Sequence, residues 1–202
     1  MKNGAVIIGR FNPPTVGHYN LISKVKSFIV KHRHEHSLDP TVFIIVVAGE
    51  KSSLDKSVNP LTASERISLL ARNENCKGCK FITCANVVDG FNKMRDYGFE
   101  PSLIAGGEDR VSGYIDLLKQ HNPSHDYIEF KMKRLKVDPN ESPNVLDHLA
   151  PTDFNIMSAS LARFAVAKDN LDAFKIITGL VDEPASNLFQ KIKQRMDKNE
   201  KS

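Results

Sequence analysis

Short, continuous runs of apolar residues recur along the chain in a pattern that suits buried β-strands. The two clearest runs are AVIIG at 5–9 and VFIIVVA at 42–48. Weaker strand candidates lie at 80–84, 102–105 and 127–130. Because the strong runs are continuous rather than alternating, both faces of these strands should be buried, as in a parallel sheet.

Segments with helical spacing lie between these runs. The segment 17–31 has apolar residues three to four positions apart, which predicts an amphipathic helix. In the segment 62–73, Thr62 is followed three residues later by Glu65, the sequence of a helix-starting capping box. Further helices are predicted at 87–97, 110–121, 158–168, 170–178 and 184–196.

The alternation of strands and helices predicts a doubly wound, Rossmann-like α/β fold. We expect a parallel sheet of about five strands, followed by short C-terminal helices. Residues 1–168 should form the α/β domain, and 169–202 a helical extension packed on it. Two segments interrupt the rhythm: 32–40 is predicted to be a polar connector, and 131–151, which contains three prolines, a long loop.

Composition narrows the classes of function only slightly. The 202 residues are 41% hydrophobic and 26% charged, which suits a globular chain with a real core. A net charge of +4 fits anionic ligands such as phosphates, but it also fits weak contact with nucleic acid. No apolar run reaches membrane-spanning length and no signal-peptide pattern opens the chain, so no membrane partner and a cytoplasmic location are expected.

The cysteines and histidines do not form a convincing metal motif. A disulfide framework is not expected from three cysteines, namely Cys76, Cys79 and Cys84. The C-x-x-C at 76–79 is interpreted as an ordinary helix-to-strand connection rather than a zinc site, because no second C-x-x-C exists. The histidine-rich stretch 32–36 is expected to be a solvated loop. The basic residues Lys131, Lys133, Arg134 and Lys136 are either part of a solvated loop or a lid over an anionic ligand.

The stretch 9–18, GRFNPPTVGH, carries the most chemistry. It links the first predicted strand to the first helix, where open α/β sheets bind ligands. Gly9 permits close approach to the backbone, and two prolines stiffen the turn. Gly17 and His18 open a helix whose amides favour anions, while Thr15 adds a hydroxyl. The plainer alternative is a strand-to-helix turn with a surface histidine.

Two further segments offer groups suited to a phosphate or a ribose. In GGEDR at 106–110, Gly107 allows a ligand near the backbone, and Asp109 or Arg110 could contact ribose or phosphate. In IMSASLAR at 156–163, Ser158 and Ser160 supply hydroxyls near a helix start, and Arg163 can reach the same ligand with several donors. A serine N-cap with a surface arginine is the alternative for the second segment.

Together these segments resemble the nucleotidyltransferase superfamily whose signature is H-x-G-H or T-x-G-H. TVGH at 15–18 has the T-x-G-H form, which phosphopantetheine adenylyltransferases also carry. GRF at 9–11 resembles the opening of archaeal-type nicotinamide mononucleotide (NMN) adenylyltransferases. The predicted short C-terminal helices resemble the ends of those enzymes and of related phage-encoded proteins. Those adenylyltransferases usually have histidine where Thr15 stands and glutamine where Asn12 stands.

Three later segments match the same family in order. NPLTASER at 59–66, after AGE at 48–50, is similar to N-P-F-T-x-x-E-R, and GGEDR at 106–110 is similar to G-x-D-R. IMSASLAR resembles I-S-x-T-x-x-R, with Ser160 in place of threonine. The resemblance implies a direct in-line attack of an acceptor phosphate on the α-phosphorus of a nucleoside triphosphate. A Mg²⁺ ion is expected to accompany the triphosphate.

The resemblance also implies roles for matched residues. His18 and Thr15 would hold the α-phosphate, while Ser158, Ser160 and Arg163 would bind the leaving pyrophosphate. The implied catalytic residues are Thr15, His18 and Arg163. The implied nucleotide-binding residues are Gly9, Arg10, Phe11, Gly17, Gly107, Asp109, Arg110, Ser158 and Ser160.

The expected activity is transfer of AMP from ATP to a small phosphorylated acceptor, with NMN favoured. Phosphopantetheine adenylyltransferase and CTP-dependent cytidylyltransferase activities are the enzymatic alternatives. A non-catalytic module of the same fold that binds nucleotide or nucleic acid is the alternative of another class. The resemblance leaves a homo-oligomer open, because related enzymes commonly form oligomers.

Overall fold

The described part of the chain contains one five-stranded parallel sheet. The computed structural model describes residues 1–49, 54–133, 135, 137, 142 and 144–199. The strands are β1 Lys2–Gly9, β2 Leu38–Val47, β3 Lys80–Cys84, β4 Phe99–Gly107 and β5 Ile128–Met132. Their order in the sheet is β3-β2-β1-β4-β5, and every neighbouring pair is parallel. The predicted doubly wound α/β fold is confirmed.

Some of the helices connect successive strands, and the others come after the last strand in sequence. They are α1 Val16–His32, α2 Ala63–Ala71, α3 Val87–Asp96, α4 Glu108–His121, α5 Ala159–Ala167, α6 Leu171–Thr178 and α7 Asp182–Asn199. The capping box predicted for α2 is present, since Thr62 accepts from the amide of Glu65 and Glu65 accepts from that of Thr62. None of the helices in the described residues is long and apolar enough to cross a membrane.

The sheet is covered on both faces by separate hydrophobic cores. One core joins β1 to α1 and α2 and includes Ile7, Ile22 and Leu70. The opposite core joins the sheet to α3 and α4 and includes Ile8 and Phe91. Neighbouring residues of β1 therefore point into different cores, which explains the continuous apolar run.

The direction of winding reverses between β1 and β4. From β1 the chain moves to β2 and β3 with α1 and α2 on one face, and it then crosses to β4 with α3 and α4 on the other face. Connections leaving the carboxyl ends of β1 and β4 diverge, so a crevice opens between them. In sheets of this kind ligands bind at such a crevice.

The final three helices form a third core beside the start of α1. This core contains Phe174 and Phe189, and half-buried Val16 of α1 packs against it. The carboxylate of Glu65 on α2 accepts hydrogen bonds of 2.6 and 3.0 Å from Arg195 on α7. Helices α5–α7 are thereby attached to α1 and α2.

Both segments predicted to be irregular contain regular structure. In the connector 32–40, β2 already begins at Leu38, because Leu38 is buried and pairs with Asn3. In the loop 131–151, β5 continues to Met132 and a short 3₁₀ helix, Val145–His148, buries Leu146. Of the basic cluster, Lys131 and Lys133 are exposed. Arg134 and Lys136 lie outside the described residues, as does Glu50 of the AGE segment.

Candidate functional site

The turn between β1 and α1 is shaped by Phe11. Its backbone is left-handed, with φ of 51°, and its ring lies 4.9 Å from that of His18, centroid to centroid. A Cβ atom placed on Gly9 would lie 3.0 Å from carbons of the Phe11 ring. The space beside Gly9 is thus filled by Phe11, and the glycine serves the packing of the turn itself.

Asn12 ties this turn to the segment that precedes α2. Its side-chain amide donates to the carbonyl of Leu61 at 3.1 Å, and its side-chain oxygen accepts from the Leu61 amide at 3.0 Å. Asn12 is buried, so these bonds are shielded from water. The NPLT part of the second motif consequently supports the first motif from the side.

Arg66 binds the carboxyl ends of two neighbouring strands. Its Nη1 donates to the carbonyl of Arg10 at 2.6 Å and to that of Val47 at 3.0 Å, while Nε donates to the carbonyl of Thr62. The side chain is almost fully buried. Sequence reasoning missed Arg66 as a site residue, although it stands at the end of the second motif, directly after Glu65 of the capping box.

Arg163 of α5 approaches the same turn from the opposite end of the chain. Its Nη1 donates to the carbonyl of Asn12 at 2.6 Å, and its Nη2 donates to the hydroxyl of Ser160 at 3.2 Å. Burial, together with the nearby charge of Arg10, lowers the pKa of Arg163 to about 10. Burial and Arg10 also lower the pKa of Arg66. The guanidinium of Arg10 therefore lies within electrostatic reach of those of both Arg66 and Arg163.

Among the described residues, no ion pair neutralises the positive charge of these three arginines. Within the residues that the structure describes, no carboxylate forms a salt bridge with Arg10, Arg66 or Arg163. Exposed Asp55 attracts Arg163 only at longer range. Arg66 and Arg163 are buried, whereas Arg10 is exposed. Buried charges are normally paired, so this cluster is suited to an external anion.

Thr15 and His18 form the start of α1. Thr15 is the N-cap, and its backbone N–H lies 3.1 Å from Nδ1 of His18. The hydroxyl oxygen of Thr15 lies 2.8 Å from the same Nδ1 and 2.9 Å from the carbonyl oxygen of Met157. Both side chains are buried. The alternative of a surface histidine is therefore wrong, because tertiary packing covers the ring.

Gly17 lets α1 begin against the backbone of the segment before α5. A Cβ atom at this position would lie 2.5 Å from the carbonyl oxygen of Met157 and 2.9 Å from that of Phe154. Met157 is followed by Ser158, the N-cap of α5, whose hydroxyl accepts from the Leu161 amide at 3.1 Å. The structure thus brings together the residues predicted at 15–18 and at 158–163.

The third predicted segment lies on the neighbouring strand. Gly107 ends β4 and caps α4, which places it at the same edge of the sheet as Gly9. Asp109 and Arg110 are exposed and form an ion pair with each other at 3.6 Å. Among the described residues, neither is hydrogen-bonded or ion-paired to Thr15, His18 or Arg163. They border the crevice and do not join the guanidinium cluster.

Burial favours the thiol form of the three cysteines. Cys76 and Cys79 lie in the core beside α1, whereas Cys84 lies in the core on the opposite face of the sheet. Burial raises the pKa of Cys76 to about 12 and that of Cys84 to about 11, and it raises the pKa of Cys79 as well. Over the described ranges, no group of three or more His, Cys, Asp or Glu residues is arranged to hold a metal ion.

The sequence matches no protein-family model, and comparison with curated proteins also finds no match. Function is therefore inferred from the fold and from the geometry of this crevice.

Proposed function

We propose that the chain is a nucleotidyltransferase that transfers AMP from ATP to a small phosphorylated acceptor, with NMN favoured. The observation that carries this proposal is the group of three guanidiniums, Arg10, Arg66 and Arg163, without a paired carboxylate in the described residues. The cluster lies at the carboxyl end of β1, beside the amino end of α1. A triphosphate would supply the missing negative charge at a helix end that already favours anions.

Catalysis would come from positioning the two substrates and stabilising the negative charge of the phosphates, without a covalent enzyme intermediate. A phosphate oxygen of the acceptor would attack the α-phosphorus, and the bond from that phosphorus to the bridging oxygen of the β-phosphate would break. Pyrophosphate would leave with the electron pair of that bond. His18 would donate a hydrogen bond to the α-phosphate, and Arg163 with Ser160 would hold the leaving group.

The Mg²⁺ ion would enter the site bound to ATP, as part of the substrate. ATP is used as its Mg²⁺ complex, and Mg²⁺ commonly retains phosphate oxygens and water as ligands. The described residues offer no cluster of carboxylates for a protein-held ion, so phosphate and water ligands suit this site. The protein's own contribution would be the cationic and N–H donors around the phosphates.

The acceptor is assigned by resemblance. The GRF and NPLTASER segments are similar to those of NMN adenylyltransferases, and this favours NMN. The chain has no tryptophan, so a phenylalanine or tyrosine would have to stack on the nicotinamide ring. Phosphopantetheine is the second acceptor to test, and a phosphorylated alcohol with CTP is the third.

A pyrophosphate-release screen tests the proposal directly. ATP and CTP are each combined with Mg²⁺ and with NMN, phosphopantetheine or glycerol 3-phosphate, and the nucleotide product is identified by mass. We expect release with ATP and NMN, and at least about a 10²-fold lower turnover for His18→Ala through loss of a transition-state hydrogen bond. The matched control is His121→Ala, an exposed histidine of α4, which should retain wild-type turnover.

A non-catalytic binding module is the second candidate. The guanidinium cluster would also fit a phosphate that is bound and not transformed. This candidate would be favoured over an enzyme if ATP bound tightly but released no pyrophosphate in the presence of any of the acceptors. Strong binding of RNA or DNA that weakens steeply with salt would favour its nucleic-acid form.

A further inference from the structure

The side chain of Arg195 on α7 contacts both the segment before α2 and the first turn of α2. Its Nη1 donates to the carbonyl of Pro60 at 2.8 Å and to the carboxylate of Glu65 at 2.6 Å, while its Nη2 donates to the other carboxylate oxygen at 3.0 Å. A planar guanidinium that binds both oxygens of a carboxylate has a fixed geometry. Arg195 thereby fixes the position of Pro60 relative to that of Glu65.

Each of these two contact points is next in sequence to a residue that holds the turn after β1. The residue after the first is Leu61, whose backbone N–H and carbonyl both bond to the buried side chain of Asn12. The residue after the second is Arg66, whose Nη1 donates to the carbonyl of Arg10 at 2.6 Å. Because buried hydrogen bonds are costly to lose, the turn should follow any shift of the segment 60–66.

We infer that Arg195 is a positioning residue for the anion site: it fixes the segment 60–66, and this segment holds the turn that carries Arg10. The inference rests on the proposed binding of a polyphosphate at the three arginines, but it does not require nucleotidyl transfer. In the described part of the chain, the hydrogen bonds of Arg195 go to Pro60 and Glu65 and not to the turn itself. Arg195 thus acts through these two residues, and α7 supports the site indirectly.

Lys191, one turn earlier on α7, separates this inference from a simple effect of charge. Its Nζ lies 3.3 Å from the same carboxylate of Glu65, so it brings the same charge to the same partner. Among the described contacts of Lys191, none is with Pro60. Lys191→Met therefore removes one positive charge and one ion pair of Glu65, but it leaves the contact between Arg195 and Pro60 intact.

The first test measures the binding of inorganic tripolyphosphate by calorimetry in Arg195→Met, Lys191→Met and the wild type. We expect the affinity of Arg195→Met to be about threefold to tenfold lower, an effect of the size that residues outside a binding site can have. Lys191→Met should bind like the wild type. If Arg195→Met does not fold, Arg195→Lys takes its place and should also weaken binding, because lysine keeps the charge but lacks the planar fork.

Hydrogen exchange, followed by NMR, shows whether the link to the turn has loosened. The backbone amide of Leu61 donates to the side-chain oxygen of Asn12 at 3.0 Å, so its exchange rate reports on this link. The amide of Ile44, fully buried in β2, reports on the stability of the whole fold. In Arg195→Met we expect exchange at Leu61 to accelerate about threefold to tenfold more than exchange at Ile44, because the opening is local.

The outcomes separate this inference from the proposed enzyme activity. Wild-type binding of tripolyphosphate by Arg195→Met would overturn the inference, and so would equal weakening in Lys191→Met or an equal acceleration of exchange at Leu61 and Ile44. The nucleotidyltransferase proposal would survive each of these results if the wild type released pyrophosphate. A loss of binding confined to Arg195→Met would support the inference even if the wild type bound tripolyphosphate and released no pyrophosphate. If the wild type bound no tripolyphosphate, the anion site and this inference would both fail.

Discussion

The guanidinium of Arg163 donates a 2.6 Å hydrogen bond to the main-chain carbonyl of Asn12, 151 residues earlier in the chain. The contact joins α5 to the turn after β1 and is buried. Through this hydrogen bond, Nη1 of Arg163 stabilises the turn. Its charge meanwhile remains available to an anion, because no described carboxylate pairs with it.

The start of α1 should not tolerate a side chain at Gly17. In Gly17→Ala the new methyl would collide with the carbonyl oxygens of Met157 and Phe154, and α1 would have to move away from the segment before α5. We expect a loss of about 1–3 kcal/mol in the free energy of unfolding, measured in urea, together with weaker binding of inorganic tripolyphosphate.

Gly113→Ala is the control for that change. This glycine lies within α4, and no described atom outside its own stretch of helix comes within 4 Å of the position that a Cβ would take. Alanine there should stabilise the helix by about 0.5–1 kcal/mol and leave tripolyphosphate binding unchanged. Equal stability of Gly17→Ala and the wild type would contradict the close contact between the two segments.

Replacement of Arg163 should mainly weaken binding of the triphosphate. Arg163→Ala removes a charge, the hydrogen bond to the Asn12 carbonyl in the turn and the hydrogen bond to the Ser160 hydroxyl on α5. Charge-assisted bonds contribute about 1.5–3 kcal/mol each. We expect ATP affinity, measured by calorimetry, to fall about 10- to 100-fold. Arg72→Ala, at the exposed C-cap of α2, should leave it unchanged. Unaltered ATP affinity in Arg163→Ala would count against a role in phosphate binding.

The repulsion among the three arginines gives a prediction about stability. Burial lowers the pKa of both Arg66 and Arg163, and the charge of Arg10 lowers it further, so Arg10 destabilises the ligand-free site. Arg10→Met should raise the free energy of unfolding by about 0.2–1 kcal/mol, the size of an exposed charge interaction. The same variant should gain less thermal stability from added tripolyphosphate than the wild type does.

Arg33→Met, at the C-cap of α1, is the matched control for Arg10→Met. It removes another exposed arginine, at the far end of α1 from the site, and should not alter the response to tripolyphosphate. If both variants responded alike, the effect would reflect net charge and not the site.

The attachment of α7 to α2 should weaken in acid. Hydrogen bonds from Arg195 hold the pKa of Glu65 at about 2, against a usual 4.5. A carboxyl group whose pKa is lowered by folding stabilises the native state above its usual pKa, and this contribution is lost as the pH falls. The free energy of unfolding should therefore drop between pH 4.5 and about 2.

Glu65→Gln should show a smaller drop over that range, because it has no carboxylate to protonate. Glu74→Gln, at an exposed site in the short 3₁₀ helix, should follow the wild type. Parallel curves for wild type and Glu65→Gln would show that the Arg195 contact contributes little to stability.

Much of the fold could be predicted because its signals are local. The apolar run at 5–9 and the Thr62–Glu65 capping box depend on residues close in sequence, and both appear where they were expected. The first residues of β1 and β2 are not predicted by the apolar runs, since Lys2 and Leu38 join the sheet through pairing with distant strands. The role of Arg66 is not predicted either, because its guanidinium donates to the carbonyls of Arg10 and Val47, which are distant in sequence.

The sequence by itself determined the order of strands and helices, the caps and the residue types gathered at 9–18 and 156–163. Periodicity and capping arise within a few residues, so they can be read along the chain. Only the tertiary structure decided that His18 is buried, that Thr15 faces Met157 and that three arginines converge without described ion pairs. These features depend on contacts between residues far apart in sequence, and their geometry exists only once the sheet and the final helices have packed together.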